Sequence, residues 1–304
     1  MRFPLLLISY AGYMADVASA EVVTFLIVPA KARWMLMLQM ITAVAILVLA
    51  DSAGAETRLG TVRLDNWAYF QQNTTATERW QIKEKLFVPF HFDHGWTFTQ
   101  RVDVPFYYTN KSGPANSSGD WKADISDMLI EEIIDSQEVA NNLRLRMSLR
   151  FVFPTGGQAP FGSDQWQVAP GVGFSYRLPD TLRGMTIAPF LRYFNGFDAG
   201  SGVSFVQRLD IYPALTFGFD KLRGIKIVME LFDENWPKTW SLALYPENPI
   251  SYNAATGKWF VPIDAMLVYR ISQRVEWGIG GAYAVVRDDS DYKYIVNTRI
   301  SLYF

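Results

Sequence analysis

Arg144, Arg146 and Arg150 recur at even spacings in the stretch Leu143-Arg-Leu-Arg-Met-Ser-Leu-Arg-Phe-Val-Phe153. In an extended chain alternate side chains share a face, so the three guanidiniums stand on one side with Leu143, Leu145, Met147, Leu149, Phe151 and Phe153 on the other. A guanidinium keeps its charge and donates in a fixed fork that matches carboxylates and phosphates. The chemistry on offer is anion recognition, or pairing with the chain's own carboxylates. Asp127 and Glu131, on the preceding stretch, are the candidates for such pairing.

Bond-breaking chemistry finds less support. Acyl transfer needs a Ser, a His base and an orienting acid within reach of one another. The chain has 2 His, and both fall in Phe90-His-Phe-Asp-His-Gly95, a turn without a nearby Ser. His91, Asp93 and His94 are too few and too close to close a metal site alone. Thr155-Gly156-Gly157 looks superficially phosphate-binding, but no Gly-Lys-Ser/Thr follows. We expect no catalytic residue, no metal and no cofactor. With 28 basic and 30 acidic residues the net charge is −2, which gives no case for nucleic acid. Zero Cys excludes disulfides and thiolate metal sites.

The elements that would position these arginines are strands. The chain ends Val296-Asn-Thr-Arg-Ile-Ser-Leu-Tyr-Phe304, alternating apolar and polar side chains up to a terminal aromatic, as bacterial outer-membrane barrels do. A content of 50 % hydrophobic and 15 % aromatic residues coexists with a mean hydropathy of +0.04. Strands with one face in lipid and one in water reconcile the two, with 10 Trp, 15 Tyr and 21 Phe available for interfacial girdles.

Alternation and turn residues place strands at 61–71, 80–91, 96–108, 125–134, 143–153, 166–177, 185–195, 205–219, 224–232, 259–271, 275–286 and 292–304. The fold class is all-β, an antiparallel up-and-down transmembrane barrel of about 12 strands. Residues 233–258 are read as an outer connection, and Trp240-Ser-Leu-Ala-Leu244 within them leaves 14 strands as the alternative. The stretch 125–134 does not alternate cleanly, since either phase leaves an acid facing lipid.

Alternation turns toward the interior Arg101, Asp103, Asp127, Glu131, Arg144, Arg146, Arg150, Arg192, Asp210, Glu230, Asp264 and Arg299, and also Arg63, Lys83, Lys85, Arg177, Arg208, Lys226, Arg270, Lys293, Asp65 and Glu276. An Arg on the lipid face near midplane would cost ~2 to 4 kcal/mol, so the inward direction is close to forced. Two readings stay open: a solvated network of ion pairs that stiffens the wall, and a basic constriction that concentrates anions.

The first 55 residues read as a leader and residues 56–304 as the barrel. The apolar run 34–50 follows Lys31 and Arg33 and precedes Ala53-Gly-Ala55, a small-x-small cleavage signature before Glu56. Residues 1–30 exceed what a signal peptide needs, and a start near Leu26 or Val28 would give a conventional leader. A helical membrane hairpin over residues 1–50 is the alternative.

Phe153-Pro-Thr-Gly-Gly157, Trp166-Gln-Val-Ala-Pro-Gly-Val-Gly173 and Lys258-Trp-Phe-Val-Pro262 resemble motifs of the bacterial outer-membrane family labelled MetA-pathway of phenol degradation. The resemblance runs over 143–304 and implies a barrel in the Gram-negative outer membrane that passes small, including aromatic, compounds. Asp264 stands where the family's glycine is expected, two residues after Pro262, and the chain stops at Phe304 where many relatives add a proline. The expected function is a channel for passive passage of small solutes, with a non-conducting structural or surface-interaction barrel, its lumen plugged, as the alternative. The expected partners are the bilayer, small solutes and the barrel-assembly machinery, for which Phe304 would be the signal.

Overall fold

A computed structural model of the chain describes residues 57–73, 77–178, 185–198, 204–218, 240–287 and 292–304. They form a closed antiparallel barrel of 12 strands. We number them β1 (Thr57–Leu59 and Arg63–Gln72), β2 (Glu78–Phe92), β3 (Thr97–Thr109), β4 (Lys122–Ile125 and Met128–Ala140), β5 (Leu143–Phe153) and β6 (Trp166–Arg177). The second half comprises β7 (Met185–Ile187 and Phe190–Phe197), β8 (Gln207–Tyr212 and Leu215–Gly218), β9 (Trp240–Leu244 and Ile250–Asn253), β10 (Lys258–Arg270), β11 (Val275–Arg287) and β12 (Tyr294–Tyr303). Each strand pairs with its chain neighbours, and β12 pairs with β1 from Tyr294 opposite Gln72 to Tyr303 opposite Arg63. Closure removes the open edges that a sheet would otherwise present.

Alternation sorts the side chains. Ile82, Val172, Ile263, Ile279, Val296 and Ile300 stand exposed on the outer face, while their neighbours Lys83, Gly171, Asp264, Gly278, Asn297 and Arg299 point inward. Rings pair across strands toward the ends of the wall: Phe70 with Trp80 and Tyr108 with Trp121, both at 4.7 Å, and Tyr252 with Trp259 at 4.9 Å. Trp240 and Tyr269 pair at 4.8 Å toward the opposite end.

One strand lies elsewhere than its sequence pattern suggests. Residues 224–232, read from the sequence as the ninth strand, lie outside the described residues; between β8 and β10 the described wall holds β9, inside the stretch 233–258 that reads as an outer connection. Its two pieces pair with β8, Leu215 opposite Leu244 and Ile211 opposite Ile250. The same pieces pair with β10, so the count stays at 12 and the 14-strand alternative falls. Five residues separate Leu244 from Ile250 where three separate Ile211 from Leu215, an excess of two on β9. Pro246 and Pro249 cannot donate to a ladder, and Tyr245 takes a positive φ of 52°. The segment therefore leaves the wall.

Candidate functional site

Interior chemistry gathers on Glu131 of β4. Its register places Arg101 of β3 on one side and Arg150 of β5 on the other. Glu131 Oε2 accepts from Arg150 Nη2 at 2.6 Å and Nε at 3.2 Å and from Arg101 Nη1 at 3.4 Å, while Oε1 accepts from Nη2 of Arg192. Arg192 stands on β7, beyond two intervening strands. It reaches over because its register partner on β6 is Gly171, which has no side chain to obstruct it. Arg192 Nη2 also donates to Ser148 Oγ at 3.3 Å. Asp103 neutralises Arg101 through a bidentate pair at 2.7 and 2.6 Å. Three guanidiniums and two carboxylates thus share one buried cluster, in which each carboxylate receives charge-assisted bonds.

Rings flank these cations. The Arg192 guanidinium lies 4.9 Å from the Phe190 ring centroid, that of Arg208 4.3 Å from Phe194 and that of Arg101 5.3 Å from Phe87. Such contacts add roughly 0.5 to 2 kcal/mol each, depending on desolvation. On β8, Asp210 accepts from Arg208 at 2.8 and 3.1 Å and from Ser251 Oγ of β9 at 2.7 Å.

The three arginines of β5 do not act together. Arg150 joins the Glu131 cluster, Arg146 pairs with Asp135 at 2.7 and 2.9 Å, and Arg144 is exposed opposite Glu138. Near the closure of β12 on β1, Glu276 accepts from Arg270 at 2.9 Å, from Arg299 at 3.4 Å and from the Tyr303 hydroxyl at 2.9 Å.

Among the described residues, Asp127 bonds to Ser163 and Gly156 and not to an arginine. It sits where β4 is interrupted and holds the β5–β6 connection, with Oδ2 accepting from Ser163 N at 2.7 Å and Oγ at 2.6 Å and Oδ1 from Gly156 N at 3.2 Å. The break takes Asp127 out of the wall, but the unclean alternation of 125–134 persists beyond it: Glu131 and Glu132 are adjacent on the unbroken part of β4, and Glu132, facing away from the interior cluster, accepts from Gln100 Nε2 at 3.3 Å. Thr155 and Gly156 of the Phe153–Gly157 motif serve the same junction: Thr155 Oγ1 donates to Ser126 O at 2.7 Å, and a Cβ on Gly156 would lie 2.8 Å from Phe161 O. The β3–β4 connection is tied in through Ala115 N to Ala159 O at 3.0 Å.

The Tyr245–Pro249 segment folds into the interior. Asp264 of β10, buried, accepts from the N–H of Glu247 at 3.1 Å and of Asn248 at 2.8 Å. The Glu247 carboxylate reaches the far wall, where Oε1 accepts from Lys85 Nζ of β2 and Oε2 from the Tyr69 hydroxyl of β1 at 3.3 Å. Lys85 lies over Trp67 at 4.4 Å, and Trp67 stacks on Tyr69 with centroids 5.4 Å apart. Beside them Phe260, Met266, Val268, Ala282, Ala284, Tyr292 and Ile295 complete a buried apolar cluster. β11 turns only Gly278, Gly280, Ala282 and Ala284 inward along this arc.

Sequence reasoning missed Glu247, Lys85's dependence on it, and the role of Asp264 as anchor. The available signal was Tyr245-Pro-Glu-Asn-Pro249, two prolines bracketing an acid between two short apolar runs. Glu230, Lys226, Ala53 and Ala55 lie outside the described residues. Phe304 is exposed, and its N–H donates to Val62 O at 2.9 Å.

No family model matches the chain, and no curated protein matches it. Solved structures do. A crystal structure of an outer membrane channel from Pseudomonas putida F1 superposes with a TM-score of 0.56 at 10 % identity, covering 81 % of this chain and 96 % of that one. The KdgM porin in complex with disordered oligogalacturonate gives 0.42 at 9 % identity, over 80 % and 98 %. An anion-selective porin from Comamonas acidovorans gives 0.38 at 10 % identity, over 82 % and 100 %. The likeness to the Pseudomonas channel is one of fold.

Proposed function

We propose that the chain is an outer-membrane barrel whose interior is a path for passive passage of small solutes. One observation carries the reading: a single closed wall has an apolar outer face with rings toward both ends and an inner face of ionised pairs. Such a wall suits hydrocarbon bounded by two interfaces, because closure satisfies every ladder group without water. The pairs inside need one another or water. The shared fold with a Pseudomonas outer membrane channel supports the same reading. Arg101, Asp103, Glu131, Arg146, Arg150, Arg192, Asp210, Asp264 and Arg299 would line the path. Three arginines around two acids favour anions there, and the motif resemblance adds small aromatic compounds as cargo.

Purified protein in a planar bilayer should give unitary currents whose reversal potential in a salt gradient lies on the anion side. A barrel that never conducts would instead favour the plugged structural reading, which the crossing of the interior by Glu247 supports. Location in the Gram-negative outer membrane implies that residues 1–55 are a leader removed after Ala55 and that the insertion machinery reads β12 with Phe304. Intact mass of the protein from outer-membrane fractions should begin at Glu56, and deletion of Phe304 should lower its yield there.

A further inference from the structure

The ion pair of Glu247 is built differently from the others. In Arg101–Asp103, Arg150–Glu131, Arg192–Glu131, Arg208–Asp210 and Arg270–Glu276 both partners stand on the wall. Glu247 stands on a segment that has left the wall, and it delivers its carboxylate to Lys85 and Tyr69 on strands that are not its neighbours.

The receiving end is fully formed by β1 and β2 alone. The Lys85 side chain is 1 % exposed, its ammonium has a ring face from Trp67 at 4.4 Å, and the Tyr69 hydroxyl supplies a second donor. The acids beside it are otherwise engaged. Asp103, its register partner on β3, is held by Arg101 at 2.7 and 2.6 Å, and Asp65, its partner on β1, lies 3.2 Å from Arg63 Nε. Asp103 attracts the ammonium through space, but its hydrogen bonds go to Arg101. A covered ammonium beside a phenol donor, whose nearest wall-borne acids are each paired with an arginine, is a receptor for a carboxylate brought from elsewhere. The delivering end is releasable. Its ladder is broken by Pro246 and Pro249; its base is held to β10 by Tyr245, through N to Asp264 O at 2.9 Å and the hydroxyl to Pro262 O at 3.1 Å, and its inward course beyond Tyr245 by two N–H bonds to the Asp264 carboxylate.

We propose that Lys85, Tyr69 and Trp67 form a carboxylate-binding site in the lumen, that Glu247 is its resident occupant, and that a carboxylate-bearing solute exchanges with Glu247. The exchange rests on the reading of the interior as a solute path. The ammonium stays paired throughout, so the swap avoids a bare buried charge. Once displaced, Glu247 no longer ties the β9 segment to β1 and β2, and occupancy of the site by solute loosens the chain's own obstruction.

The test uses acetate as probe, against chloride at equal ionic strength, on the full-length barrel in detergent. Removing the resident carboxylate with Glu247→Ala should let acetate raise the thermal unfolding midpoint in a saturable way. The unaltered protein should need about tenfold more acetate for the same response, and Glu247→Ala combined with Lys85→Met should give none. If Glu247→Ala does not fold, Glu247→Gln, which keeps a carbonyl acceptor for Lys85, must show the same ranking. A response equal in all three proteins, or none in the single variant, overturns the site. Melting needs no conduction. A variant that binds acetate in a barrel that never conducts therefore sinks the solute path and not the site, while a conducting barrel that ignores acetate sinks the site alone.

Discussion

Two arcs of the same interior are filled by opposite means. From β3 to β8 long charged side chains dominate, reaching past the small inward residues of β6: Arg101, Arg150 and Arg192 cross-link strands through Glu131, while Asp103 and Asp210 neutralise Arg101 and Arg208 within their own strands. From β10 through β12 to β1 a continuous stretch of the interior is filled by uncharged, apolar side chains, with Met266, Ala282 and Ala284 against Trp67, Tyr69 and Ile295. The charged arc is stable only as a balanced set, since removing one partner strands the others in a poorly solvated place. The apolar arc is limited by volume, because a close-packed surface resists added methylenes.

The contrast can be broken most forcefully at Glu131. Glu131→Ala leaves three guanidiniums facing one another and should cost about 3 to 5 kcal/mol, read as a lower urea midpoint of the heat-resistant species. An unchanged midpoint would show that the charged arc does not hold the wall. On the other side, Ala284 is 0 % exposed, and Ala284→Leu should cost about 1 to 3 kcal/mol by overpacking. A neutral or stabilising effect in the same titration would reveal open space where the apolar arc is described as full. The smallest effect belongs to Arg144, exposed at the end of β5. Arg144→Gln should stay within about 0.5 kcal/mol, and a larger loss would extend the charged arc beyond the cluster on Glu131.

Much of the wall was legible because long two-faced strands write their faces into the chain. The outward sets of β5, β10, β11 and β12 follow directly from alternation, and the expected total of 12 strands agrees with the wall although β9 lies inside the stretch read as a connection. What escaped reading depends on contacts between strands. β9 consists of pieces of 5 and 4 residues, too short for a period of two to stand out beside Pro246 and Pro249. The bond from Arg192 to Glu131 needs Gly171 on an intervening strand, which no single strand's pattern announces. Asp127 looked like a wall residue because the break in β4 at Ser126 is invisible in composition. Its partners Gly156 and Ser163 lie in a connection about thirty residues away.

The seam between β12 and β1 imposes an order in time. A chain emerging amino-terminus first carries β1 with one unpaired edge while every other strand is made, and that edge finds its partner only when residues 294–303 arrive. Pairing so distant in sequence is the slowest kind to form. Meanwhile both free edges can template association with another chain. Without residues 294–303, β11 and β1 each keep an unpaired edge, so the wall is an open sheet and not a ring until that segment is in place.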